Sequence, residues 1–120
     1  MDMEPPGRQI SREELPPAVG RCLDAYGAGD TAAAAAYFAG DATVVDDGRT
    51  YTGTDSITAW LGTSATEWTY TMTPTAFRRT GDEQYEITQH VVGDFPGGVV
   101  DLRWRFALRD GLIARLVIEP

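Results

Sequence analysis

Lysine is absent from the chain, and all 10 basic residues are arginines. Without a side-chain amine, neither a Schiff base with a carbonyl substrate nor a covalently held pyridoxal cofactor can form. Cysteine and histidine occur once each, as Cys22 and His90. An intramolecular disulfide, a thiolate metal cage and a two-histidine metal site are thereby excluded, and neither a metal nor a cofactor is expected. Serine is scarce as well. Ser11, Ser56 and Ser64 all lie outside a Gly-x-Ser-x-Gly context, so a hydrolase triad has no nucleophile elbow to build on. Positive charge is in deficit: 10 basic residues against 18 acidic ones leave −8, a sign that repels a phosphate backbone and argues against nucleic acid as a partner. No apolar run approaches the ~20 residues of a membrane span. The start, MDMEPPGRQISREE, lacks the basic-then-apolar order of a signal peptide, so no membrane association and a cytoplasmic location are the expectations.

What is present suits one soluble domain: 120 residues, 42% of them hydrophobic and 23% charged. Residues 1–14 are polar with two prolines and read as a flexible leader. From residue 15 a single domain is expected. Val19, Cys22, Leu23 and Tyr26 fall at i, i+3, i+4 and i+7, one face of a first helix with Pro17 in its first turn and Gly27/Gly29 at its stop. Asp30 caps a second helix, TAAAAAYFA, that ends at Gly40. The period then changes to two. ATVVD, a turn at Asp46-Asp47-Gly48 and RTYTG form a hairpin, and Thr54 or Asp55 caps a third helix through Ile57, Trp60 and Leu61.

From Thr66 onward only β-rich runs follow, separated by Thr80-Gly81-Asp82, Phe95-Pro96-Gly97-Gly98 and Asp110-Gly111. Turns this short imply antiparallel neighbours, and Pro74 marks a bulge, bend or edge. Helices early and strands late make the fold α+β. Along residues 99–109, Val100, Leu102, Trp104, Phe106 and Leu108 share one face, which should turn towards the helices. Asp101, Arg103, Arg105 and Arg109 share the other.

Four segments in order carry a resemblance: LDAYGAGD (23–30), YFAGDATVVDD (37–47), YTGTDSITAW (51–60) and RDGLIA (109–114). Together they resemble the nuclear transport factor 2-like superfamily, in its SnoaL-like group, which includes polyketide cyclases and is related to ketosteroid isomerases. The resemblance implies a cystatin-like α+β roll: a cone of curved antiparallel sheet packed on three helices of the N-terminal half. It also implies a pocket for a small apolar molecule and frequent homodimers. It names no single reaction, because the fold hosts isomerases, cyclases, dehydratases, epoxide hydrolases and non-catalytic modules.

Asp46 is the principal candidate. Ala42, Val44 and Asp46 share a strand face, so if Val44 points into the cone the Asp46 carboxylate ends an apolar row near the pocket, where desolvation raises its pKa towards a range useful for moving a proton. By resemblance, DATVVD matches the isomerase segment whose last Asp is the general base. The competing reading makes Asp46 an ordinary hairpin-turn residue. An enolate intermediate also needs oxyanion donors. By alignment with the isomerases, those donors fall on Cys22 and near Trp104, neither a strong acid, so isomerase chemistry in its known form is not expected. Cys22 is expected on the pocket wall, as inert packing rather than as a nucleophile.

Alternation along YEITQHVV places Gln89 inward, as a polar pocket residue, and His90 outward; a bulge would reverse them and make His90 an acid or base of the site. Tyr26, Tyr51, Trp60, Trp68, Tyr70 and Trp104 supply aromatic walls, with Val44 and Leu102 beside them, and each has an alternative reading as ordinary core. Asp101, Arg103 and Arg105 are similar to the charged constellation of limonene-type epoxide hydrolases, but here they should face outward. With Glu86, Thr88 and His90 they form a two-sign surface suited to a homodimer through the outer sheet face. Two functions follow: a cofactor-independent acid/base enzyme using Asp46, or a non-catalytic ligand-binding or interaction module of the same fold.

Overall fold

The computed structural model describes residues 7–66 and 70–120, with side chains up to 63 in the first stretch. Strand β1 (Arg8–Gln9) and a 3-10 turn precede helices α1 (Pro17–Gly27) and α2 (Thr31–Ala35). Then come the hairpin β2 (Phe38–Asp46) and β3 (Arg49–Thr52), helix α3 (Thr54–Thr66), and the strands β4 (Tyr70–Gly81), β5 (Gln84–Gly93), β6 (Val99–Arg109) and β7 (Leu112–Glu119). They form one open seven-stranded sheet in the order β1-β4-β5-β6-β7-β2-β3. Three helices on a curved, non-closed sheet are the α+β arrangement expected.

Local chemistry explains most of the element boundaries. Pro17 occupies the first turn of α1, where a missing N–H costs nothing, and Val19, Cys22, Leu23 and Tyr26 are its buried stripe. The Asp30 side chain accepts from the Ala33 N–H at 3.1 Å and caps α2. Two tight hairpins use the same pair of residues: Asp47 and Gly48 (φ 55° and 75°), and Asp110 and Gly111 (φ 55° and 81°). Positive φ at both central positions is the turn whose twist matches its flanking strands, and Asp-Gly tolerates it. Pro74 sits where the β4–β5 register shifts, between Pro74 and Ala76.

Three features differ from the sequence expectation. Helix α2 stops at Ala35 and β2 already begins at Phe38. Phe38 is buried opposite Ile113, and the Ile113 N–H donates to the Tyr37 carbonyl at 2.9 Å, so sheet pairing overrides the helix propensity of the alanine run. Second, the sheet is mixed rather than wholly antiparallel, because β2 runs parallel to β7. These strands lie far apart in sequence, and the long intervening chain allows the crossover that a tight turn forbids. Third, part of the segment assigned to a loose leader belongs to the fold. Arg8 and Gln9 pair with Arg79 and Arg78, the Ile10 N–H donates to the Phe77 carbonyl at 2.9 Å, and Ile10 is buried. An otherwise open edge of β4 gains a partner.

The core lies between the helices and the concave face of the sheet. Val44 stands beside Leu116, which stands beside Phe106, in one cross-strand row. All three are essentially inaccessible, as are Ile57 and Leu61 of α3 and Ile113 of β7. This packing fills the half of the concavity nearest the Asp110-Gly111 turn and leaves the other half to a cavity.

Leu116→Ala is expected to lower the unfolding free energy by about 2–5 kcal/mol, whereas Leu112→Ala, at a side chain 38% exposed, should cost far less. Denaturant unfolding with an unchanged m-value checks both. Equal losses would show that the Val44–Leu116–Phe106 row is not the tightly packed part of the core.

Candidate functional site

The next cross-strand row along the concave face differs in chemistry from the packed one. Asp46 of β2 stands beside Ile118 of β7, which stands beside Trp104 of β6. This row borders a cavity of about 530 Å³. Its sheet wall also includes Met72, Val91, Val100 and Leu102, each reached by extending the inward alternation of its strand. Tyr26, at the last turn of α1, and Tyr70 complete the aromatic side, Phe95 closes in from the β5–β6 loop, and Asp47 and Gly48 form the rim at the β2–β3 turn. The volume suits a small organic ligand.

Asp46 is half-buried and held from behind. The Trp60 indole Nε1–H donates to its Oδ2 at 3.0 Å. Hydrogen bonds to a carboxylate are stronger than neutral ones, so this bond sets the orientation of the acid as well as tying α3 to the end of β2. The Trp60 ring is itself sandwiched, with Tyr51 at 6.2 Å and Tyr26 at 6.3 Å between centroids. Tyr26 then meets Trp104 at 5.1 Å and 79°, an edge-to-face contact. On the cavity wall the Tyr70 hydroxyl donates to the Tyr26 hydroxyl at 3.1 Å.

Of the residues expected to form the site, Tyr26, Asp46, Leu102 and Trp104 border the cavity, as does Tyr70. Cys22, Val44, Tyr51, Trp60 and Gln89 do not. Cys22 and Val44 belong to the packed core. Trp60 lies behind Asp46 as its hydrogen-bond donor, Tyr51 covers the far side of Trp60, and Gln89 is buried beneath the wall. The cavity thus opens one row further out than the space between Val44, Trp60 and Trp104, because large side chains already fill that space. Trp68 lies outside the described residues.

His90 keeps to the outer face that strict alternation assigns it. Its Nδ1 lies 2.7 Å from Asp101 Oδ1 on an exposed surface. Arg105 pairs there with Glu86 at 3.0 Å and with Glu119 at 3.3 Å, and Arg103 with Glu119 at 3.7 Å. The charged row is therefore matched within the chain rather than presenting one sign to a mate.

Two buried polar atoms, Gln89 Oε1 and Trp104 Nε1, have no hydrogen-bond partner among the described residues. Gln89 stands opposite Leu102 and Trp104 opposite Ile87, which makes them diagonal neighbours on the concave face. Burial pushes the Cys22 thiol up to about 12. A thiol that stays protonated at neutral pH, away from the cavity wall, supplies no nucleophile. Among the described residues no group of three His, Cys, Asp or Glu side chains could hold a metal ion, and no helix is long and apolar enough to cross a membrane.

No protein-family profile and no curated protein matches the chain, but solved structures do. A candidate polyketide cyclase from Sinorhizobium meliloti is 32% identical over 92% of this chain and 100% of its own, with a TM-score of 0.84. The chain belongs to the SnoaL-like group of the nuclear transport factor 2-like superfamily. This SnoaL-like fold is also similar to a protein with a ketosteroid isomerase-like fold from Catenulispora acidiphila, in complex with trimethylamine, at 22% identity, 88% and 86% coverage and a TM-score of 0.76. A Mycobacterium tuberculosis protein in complex with estradiol-17beta-hemisuccinate shares the SnoaL-like chain's fold at 17% identity, 86% and 90% coverage and a TM-score of 0.71.

The wall residues that sequence reasoning did not assign to the site include Met72, Val91, Phe95, Val100 and Ile118, with Glu119 and Pro120 at the end of β7. Four of these continue alternations that were already readable, so the signal existed but not the location of the opening. The role of Trp60 as donor to Asp46 had no sequence signal, because the two residues lie on different elements. In the native protein Cys22 should resist iodoacetamide at pH 8 and react fully once denatured, as mass spectrometry would record. Rapid native labelling would contradict its deep burial.

Proposed function

We propose that this SnoaL-like protein binds a small, largely apolar molecule in the cavity and acts on it by general acid/base chemistry with Asp46. The observation that carries this reading is the half-buried Asp46 carboxylate on the cavity wall, oriented by Trp60 Nε1–H at 3.0 Å. A carboxylate so held can take a proton from carbon next to an activating group and return it elsewhere on the same molecule, the elementary step of isomerases, cyclases and lyases. The apolar strand residues hold the carbon skeleton, and the Tyr26–Tyr70 hydroxyl pair on the cavity wall can hydrogen-bond a ligand oxygen. Ligands in other solved proteins of this fold, a small amine and a steroid ester, fit the same kind of use.

A second reading, a binding module without turnover, has its own support. Cys22 lies off the wall with its thiol pushed up to about 12, and Trp104 stands where the other oxyanion donor would be expected. Enolate chemistry lacking strong donors forgoes what is often its largest catalytic term.

Cyclic ketones, epoxides and polyketide-like compounds assayed beside Asp46→Asn divide the two. For the enzyme, the variant should lose about 10²–10⁴-fold in turnover while still binding ligand. Equal turnover by both proteins ends the catalytic role of Asp46, and ligand binding without turnover in either selects the binding module.

The reading includes a homodimer through the outer sheet face. Since Arg103 and Arg105 are paired within the chain, the two-sign surface is not what supports this dimer. It is the apolar pair Val92 and Val99, directly opposite one another on β5 and β6 and 43% and 58% exposed. Burial of roughly 800 Å² per subunit should enclose them. Light scattering should return twice the chain mass of 13.0 kDa, and Val99→Glu or Arg103→Glu should halve it. A monomer at micromolar concentration, or a dimer indifferent to both changes, rejects this interface.

A further inference from the structure

We propose that Arg49 is a positioning residue of the site, a cation set across the β2–β3 hairpin from Asp46 that holds its carboxylate in the ionised form, so that Asp46 enters a reaction as a base; this rests on the reading of Asp46 as the acid/base group. Asp46 and Arg49 are register partners on either side of the Asp47-Gly48 turn. Directly opposite residues of an antiparallel pair share a face, with Cβ atoms about 4.5–5.5 Å apart. Asp46 borders the cavity on the concave face, so Arg49 stands on that face too, on the edge strand and just outside the cavity lining. The two positive-φ positions of the turn fix this register and with it the pairing of acid and cation.

No other group claims the Arg49 side chain. It is exposed, and among the described residues its guanidinium makes no ion pair or hydrogen bond. Arg103 and Arg105, by contrast, are turned to acids on the outer face. The guanidinium stays charged at every pH where a carboxyl titrates, and it acts without contact, because an opposite charge within about 4–6 Å favours the ionised carboxylate. Its exposure to water weakens that effect without cancelling it. Other groups around Asp46 pull both ways. The Trp60 N–H at 3.0 Å also favours the ionised form, whereas half-burial disfavours it. Asp47 at the turn and Glu119 at the end of β7 disfavour it by repulsion, Glu119 the less because Arg103 and Arg105 engage it. The phenols of Tyr26, Tyr51 and Tyr70 are neutral in this range. Arg49 is the full positive charge that the hairpin sets against burial and repulsion.

Carboxyl-carbon NMR titration of Asp46 reads this effect with no ligand present. Arg49→Met, folded by circular dichroism, should raise the Asp46 pKa by about half a pH unit or more at low ionic strength. Arg49→Lys, which restores the charge, should return it close to the unmodified value, and about 0.5 M salt should remove most of the difference between the unmodified protein and Arg49→Met. An Asp46 titration unchanged in Arg49→Met overturns the proposal, as does an Arg49→Lys protein that titrates like Arg49→Met. Where a substrate is turned over, the acidic limb of kcat/KM should move up in Arg49→Met by the same amount as the titration. A limb that stays in place while the titration moves rejects Asp46 as the base and leaves the electrostatic pairing standing. A protein that turns nothing over but shows the shift and its rescue by lysine likewise upholds the pairing, and the enzyme reading alone fails.

Discussion

The parallel register of β2 against β7 is the constraint from which the rest of the molecule follows. With Val44 beside Leu116 and Asp46 beside Ile118, one row of side chains packs solid and the next ends in a carboxylate at a cavity. Side chains along a strand alternate with a period of two, so a slip of one residue would send Val44 and Asp46 outward and Val45 inward. The turn end of β2 is pinned against such a slip, because Asp46 pairs with Arg49 across a turn whose two positive-φ positions are occupied by Asp47 and Gly48, while the register shift lies further back, between Phe38 and Thr43.

From that register comes a division of the concavity into two unlike halves. Near the Asp110-Gly111 turn, aliphatic and aromatic side chains from the sheet and α3 are buried together in the core. Nearer the start of β6, Tyr26 comes from the last turn of α1, and the strands offer smaller or shorter groups such as Val91 and Val100. Rings link the halves: Tyr51, Trp60, Tyr26, Trp104 and Phe106 follow one another at centroid separations of 5.1–6.3 Å. The chain of rings carries both the packing of the core and the orientation of Asp46, since its second member is the donor to that carboxylate. A mutation at Trp60 would therefore act on stability and on the site together.

Charge is sorted by face in the same way. Outside, arginines and acids on β5, β6 and β7 meet across strands, as Arg105 does with Glu86 and Glu119. Exposed pairs of this kind contribute little stability each, about 0–1 kcal/mol, yet they cancel one another's field locally. Inside, Asp46 stands among aromatic rings, and no Arg or His borders the cavity among the described residues.

Much of this was legible along the chain. The stripe Val19, Cys22, Leu23 and Tyr26 announced α1, and the two Asp-Gly pairs announced their hairpins. Alternation placed Leu102 and Trp104 inward and His90 outward, because period and turn chemistry are local properties of successive residues. Four ordered segments announced the fold. Only tertiary structure decided the rest. The alanine run lost its last turns to β2 because Phe38 is buried opposite a strand more than seventy residues away. Ile10 became core because an edge of β4 was open. Trp60 became the partner of Asp46, and Cys22, Val44 and Gln89 fell behind the cavity wall rather than on it. These outcomes depend on which surfaces meet across the sheet and how much volume they leave. Periodicity determines the face on which a residue stands, and packing across distant strands determines whether that face is filled or open.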